Sequence, residues 1–167
     1  MWAFVLFETL IFTGYFSVYL LQRTGAPQAF LDAQAQLDPR IGVFNTIVLL
    51  LSSWSVARCV QSARAGAYGS AHRAALPTVL FGVVFAVSKV SEWIGQLGRG
   101  NGVAGNEFFT FYYFLTGIHF LHLLIGFVVL AIVGYQIRGP ARRSQNLIET
   151  GATYWHTVDF LWVLIFA

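Results

Sequence analysis

Seven side chains with acid–base or ligating chemistry fall inside stretches that are otherwise apolar: Glu8, Lys89, Glu92, His119, His122, His156 and Asp159. Lys89 and Glu92, His119 and His122, and His156 and Asp159 are each three residues apart. At that spacing two side chains share one face of a helix. A charge at mid-bilayer costs a few kcal/mol on insertion scales, so such groups rarely face lipid. Two imidazoles in apolar surroundings admit three chemistries: metal or haem ligation, proton relay, and hydrogen bonding between helices. Ligation needs a third or fourth group aimed at the same point, which His156, Glu8 or Glu92 would have to supply. Axial ligands reach a haem from opposite sides, which speaks against two histidines three apart on one helix. The residues favour hydrogen bonding, with ligation and relay kept open. Lys89 with Glu92, and His156 with Asp159, are expected to pair. Glu8 reads as a structural carboxyl or as a proton-linked or lipid-linked group.

The elements that must position these groups follow from composition. The chain has 167 residues, 57% of them hydrophobic and 10% charged. Soluble domains carry about a quarter charged residues. An integral membrane protein is therefore expected, with one domain over residues 1–167. The net charge of +3 does not point to nucleic acid, because the basic residues lie mostly between apolar runs. The one cysteine, Cys59, leaves no internal disulfide. Met1 opens directly into an apolar run, so no cleavable signal peptide is expected.

A helix needs about 20 residues to cross the hydrocarbon. Five stretches meet that length: Trp2–Leu21, Ile41–Val60, Leu76–Leu97, Phe108–Ile137 and Thr150–Ala167. The expected fold is thus an all-α bundle of five transmembrane helices. Neither end carries a polar flank, so a longer natural chain is expected. Turn residues mark the connections: Gly25, Pro27, Asp38 and Pro39; Gly66 and Gly69; Gly98 to Gly105; and Gly139 with Pro140. Pro77 is expected in the first turn of its helix. The second and fourth connections, with their helix ends, hold Arg58, Arg64, Arg73, Arg138, Arg142 and Arg143. The other two hold Arg23, Arg40 and Arg99. This bias puts the N-terminus in the cytoplasm and the C-terminus outside.

Helical-wheel positions sharpen the picture. Tyr112, Thr116, His119, His122 and Gly126 fall within an arc of about 120° on the fourth span, a polar and small face opposite a greasy one. Phe85, Lys89, Glu92 and Gln96 form a stripe on the third. The tryptophans read as packing or interface anchors, and Arg142 and Arg143 as topology signals with weak lipid-headgroup contact.

Several blocks together carry a family resemblance. "FETLIFTGYF" (7–16), "NTIVLLLSS" (45–53), "SEW" (91–93), "FFTFYYFLTGIHFLHLLIG" (108–126) and "YWHTVDFLWVLIF" (154–166) follow one another as they do in subunit III of haem–copper oxidases. The chain resembles the last five helices of the seven-helix form. It is similar to the shortened bacterial members, quinol oxidase subunit III and the nitric-oxide-reductase-associated NorE. Its aromatic run at 106–122 leans towards NorE.

The resemblance implies a non-catalytic subunit of the bacterial inner membrane with no haem or copper of its own. It implies packing beside the catalytic subunit I, which holds those metals, and binding of phospholipid. It sets Glu8 near the proton-uptake side of subunit I, and Glu92, His119, His122, His156 and Asp159 at interhelical polar positions. The expected function is stabilising subunit I and supporting proton uptake in aerobic electron transport. Two rivals stay in view. One is a histidine-ligated membrane cytochrome b. The other is a small proton or ion transporter, against which the lack of an inverted repeat counts.

Overall fold

The computed structural model describes residues 2–103, 107–139 and 144–166. Among them it is helical throughout, with no strand: α1 (Trp2–Gly25), α2 (Pro27–Gln34), α3 (Pro39–Arg64), α4 (Tyr68–Gly98), α5 (Glu107–Arg138) and α6 (Gln145–Phe166). Gly105, Pro140, Arg142 and Arg143 lie outside the described residues.

Among the described residues four helices are long and apolar enough to cross a membrane: Val5–Gly25, Pro39–Arg64, Tyr68–Gly98 and Glu107–Arg138. The expected fifth span, α6, is not among them. Gln145, Asn146, Glu149, His156 and Asp159 lower its hydropathy. Gln145, Asn146 and Glu149 lie at the start of the helix, and packing buries Asp159 and half-buries His156. The helix lies against α1, α3 and α5 and buries Ile148, Trp155, Val158, Leu161 and Trp162. A helix packed against protein over most of its girth does not need an apolar surface all round.

Two further features depart from expectation. The stretch between the first two spans is not merely a turn. Pro27 opens the short helix α2, where a missing N–H costs nothing. Phe30 and Ala33 then tuck beneath Phe108 and Phe109 of α5. Pro77 is interior to α4 rather than in its first turn, because the helix begins at Tyr68, before the apolar run. Its ring removes one backbone hydrogen bond. Thr78 donates its hydroxyl to the Ala74 carbonyl, 3.3 Å away, in the same turn.

Local punctuation sets the entry into α3. Asp38 caps the helix, its carboxylate accepting from the Arg40 N–H at 2.9 Å, and Pro39 occupies the first turn. Asp38→Ala is expected to lower stability by about 0.5–2 kcal/mol, read as an earlier unfolding midpoint in detergent micelles. At the far end Gly66 turns the chain with φ +72°, in the left-handed region that favours glycine.

The most extensive pairing is between α3 and α4, and α6 completes the core against α3 and α5. Trp155 sits at the centre, fully buried. A Cβ at Gly82 or at Gly126 would come within 2.9 Å of its indole, so these two glycines make its space. Away from this core, α1 is loosely held, and Leu6, Phe7 and Leu10 are exposed. Exposed apolar side chains at membrane depth are ordinary where lipid is the solvent.

Candidate functional site: buried polar contacts between helices

The ionisable groups gather in three places. In the first, α4 brings Lys89 and Glu92 to one face, and α5 brings Tyr112 against them. Lys89 Nζ donates to Glu92 Oε2 at 3.0 Å and to the Tyr112 hydroxyl at 2.9 Å. Tyr112 in turn donates to Glu92 Oε1 at 2.8 Å. The triangle is closed: both carboxylate oxygens are used. Lys89 also lies 4.5 Å from the Tyr112 ring centre and 5.1 Å from that of Trp162, so the faces of both rings receive the cation. The two charged side chains are only 3% and 9% exposed, which makes this a buried ion pair.

The triangle borders a cleft of about 830 Å³ between α1, α2, α5, α6 and the start of α3. Tyr19, Arg23, Asp38, Phe111 and Phe166 also line it.

In the second place α5 meets α1. His122 Nδ1 is 2.8 Å from the Ile118 carbonyl, which only accepts, so Nδ1 carries a hydrogen. Its Nε2 is 3.2 Å from Glu8 Oε1. The contact brings an imidazole of α5 against a carboxyl of α1. This joins loosely packed α1 to the bundle.

Next on α5, His119 is fully buried. Its Nε2 donates to the Val158 carbonyl of α6 at 3.0 Å. Its ring rests edge-on to Phe85 at 5.6 Å and tilted on Trp162 at 5.4 Å. His119→Ala removes one interhelical bond and is expected to loosen the bundle by about 0.6–2 kcal/mol. The check is the yield of folded chain against the wild type, at unchanged expression.

The third place lies between α6 and α3, and here the expected pairing does not form. His156 does not bond Asp159. Its Nδ1 is 2.5 Å from the Ser53 hydroxyl on α3. Asp159 is buried, and neither carboxyl oxygen has a hydrogen-bond partner among the described residues. The physical reason is reach: a short imidazole turned towards the neighbouring helix cannot also fold back along its own.

Sequence reasoning missed several participants. Tyr112 was legible as part of a polar face, but its bonds to α4 were not. Ser52 accepts from Trp155 Nε1 at 3.0 Å and donates to the Thr78 carbonyl at 2.9 Å, linking three helices. Asn45 is fully buried with both amide atoms unpartnered among the described residues. Gln96 donates to the Gln36 carbonyl at 3.0 Å, and Asn101 to the Gln36 side chain at 2.7 Å, tying the end of α2 to α4. Near the other end Arg64 and Glu149 pair at 2.8 Å, and Arg138 donates to His72 at 2.8 Å. Exposed pairs of this kind contribute little stability.

The histidines diverge rather than converge. His119 points to α6, His122 to α1 and His156 to α3. Among the described residues no three His, Cys, Asp or Glu side chains are placed to hold one metal ion.

An all-helical membrane bundle whose buried ionisable groups bond to neighbouring helices is the class that fold and site define. Comparison with known proteins then gives the family. The family model of cytochrome c oxidase subunit III matches residues 1–167, and the chain belongs to that family. It is 27% identical over 166 residues to cytochrome c oxidase subunit 3 of Synechocystis sp., covering 98% of this chain and 70% of that protein. It is 24% identical over 168 residues to quinol oxidase subunit 3 of Bacillus spizizenii, covering 99% of this chain and 81% of that one. A haem–copper oxidase subunit I+III of Aeropyrum pernix is 27% identical over 174 residues, which is 99% of this chain and 21% of that longer protein.

Proposed function

We propose that the chain serves as the non-catalytic subunit III of a haem–copper oxidase complex, cytochrome c or quinol oxidase. The single observation that carries this reading is the family match along the whole chain. The geometry supports it, because the buried acids and imidazoles are largely spent on holding helices together. His119 bonds a carbonyl, His122 a carbonyl and Glu8, His156 a serine, and Glu92 a lysine and a tyrosine.

In this reading the catalytic subunit I carries the haem and copper. This chain packs beside it in the bacterial inner membrane and stabilises it, with phospholipid between the helices. The fusion of subunits I and III in the Aeropyrum relative fits such a neighbour. Helix α6, packed against α1, α3 and α5, crosses as a fifth span, with the N-terminus in the cytoplasm and the C-terminus outside. In this reading Glu8 and His122, in contact at 3.2 Å between α1 and α5, are the pair that supports proton uptake. A nitric-oxide-reducing partner is the second reading, favoured by the aromatic run 108–114 at the start of α5.

Purification of the tagged chain from its native membrane in mild detergent tests this. A large haem-bearing subunit is expected to co-purify, and the chain stripped from it is expected to be colourless. A Soret band that stays with the stripped chain would overturn the proposal. The identity of the large subunit separates oxygen from nitric oxide as substrate.

A further inference from the structure

One face of α6 is polar where a lipid-facing helix should be greasy. Thr153 and His156 are half-buried, and Phe160 and Val163, one and two turns further on, are 52% and 39% exposed. At about 100° per residue these four share one side of the helix. Leu161 faces α1 through Phe12, while Trp155 and Trp162 face α3 through Ser52 and Thr46. The outward stripe thus lies between the arcs that meet α1 and α3, as the floor of a groove between those helices.

His156 sits mid-way along α6 and Ser53 mid-way along α3. The imidazole spends Nδ1 on Ser53, and its Nε2 has no partner among the described residues. Three residues on, the buried Asp159 carboxyl is also without a hydrogen-bond partner among the described residues. An acyl chain offers neither donor nor acceptor, and a polar group left unsatisfied in hydrocarbon costs several kcal/mol. A transmembrane helix of a neighbouring subunit supplies a hydrogen-bonding group at that depth.

We propose that the stripe Thr153–His156–Phe160–Val163 seats a transmembrane helix of the large partner subunit, which brings a polar side chain to His156 Nε2. This rests on the reading of the chain as an oxidase subunit and adds the face by which it docks. Phe160 and Val163 supply the apolar contact beside the bond. His156 supplies the register, since a helix displaced by one turn would leave its own polar group in hydrocarbon.

The test uses the assembled complex in its native membrane. A photoreactive benzoylphenylalanine replaces Phe160, and separately the exposed Leu80 on α4, which lies outside the groove. The large subunit is expected to be captured from position 160 and not from position 80. His156→Leu, which keeps the size and apolar fit, is expected to cut retention of the large subunit in detergent about three- to thirtyfold. His156→Gln, which keeps a hydrogen-bonding group, is expected to restore most of it. Capture of lipid alone from position 160, or of a different subunit, overturns the docking face while the large subunit still co-purifies. If no large subunit accompanies the wild-type chain, the reading as an oxidase subunit fails, and the docking face with it. Should His156→Leu fail to accumulate, the capture pattern at position 160 still decides.

Discussion

Lys89→Met is expected to destabilise the bundle by about 3–5 kcal/mol, among the largest effects of any single substitution in this chain. The reason lies in what stays behind. Glu92 has both oxygens occupied, one by Lys89 and one by Tyr112, and its side chain is 9% exposed. Removing the ammonium leaves a buried carboxylate facing a single neutral hydroxyl. Coulomb attraction no longer offsets the desolvation of that group. Methionine matches the lysine stem in length and packs against the same rings, so the loss reports charge rather than volume.

The double variant separates the two. Lys89→Met with Glu92→Leu removes both charges, and Tyr112 is left with an unmet hydroxyl worth about 1–3 kcal/mol at most. Apolar replacement of a whole buried pair is often neutral or stabilising by about 1–4 kcal/mol. The double variant is therefore expected to recover at least half of the single variant's loss. Unfolding in mixed micelles, followed by tryptophan fluorescence, gives the three midpoints. A double variant as unstable as Lys89→Met would show that packing, not charge, governs the site.

This triangle also shows what the sequence reveals and what it hides. The i, i+3 spacing of Lys89 and Glu92 predicted their pairing, and the wheel put Tyr112 on the inward face of its helix. Both are local facts. The same spacing misled at His156 and Asp159, because the imidazole met Ser53, 103 residues away in the chain, before it met its helical neighbour. Glu8 and His122 were each singled out, but nothing local joins residues so far apart. Their contact exists only because α1 returns to lie against α5.

Hydropathy was similarly informative within limits. It located the four greasy helices well, since lipid contact sets their composition directly. It was less decisive for α6, where polar residues such as His156 and the buried Asp159 lower the hydropathy. It passed over α2, where the helix signal was Pro27 followed by Phe30 and Ala33 on one face, too short to register as a span. It also drew the start of α4 at the edge of the apolar run, so that Pro77 seemed terminal when the backbone helix had begun at Tyr68. Hydrophobic runs mark where lipid starts, and helices do not have to start there.

Trp155→Ala is expected to cost about 3–5 kcal/mol as well, by a different route. The indole is fully buried and fills the space where α3, α4, α5 and α6 meet, between Gly82, Gly126 and Phe127. In a membrane the loss is mainly one of close packing, because lipid is as apolar as the core. The N–H matters less. Ser52 keeps its own donor bond to the Thr78 carbonyl when the indole goes, so no buried donor on α3 is orphaned. Trp155→Phe is accordingly expected to cost only about 1–2 kcal/mol, the part of the volume a phenyl ring does not refill.

Glycine substitution supplies the internal control. Gly126→Ala puts a methyl within 2.9 Å of the indole and is expected to cost about 1–3 kcal/mol in the wild type. In the Trp155→Ala background that methyl enters a void and is expected to stabilise. The two effects therefore couple with opposite sign, which separable sites do not do. Simple additivity of Gly126→Ala and Trp155→Ala in unfolding midpoints would mean that the indole does not occupy the glycine-lined space that now defines the centre of the bundle.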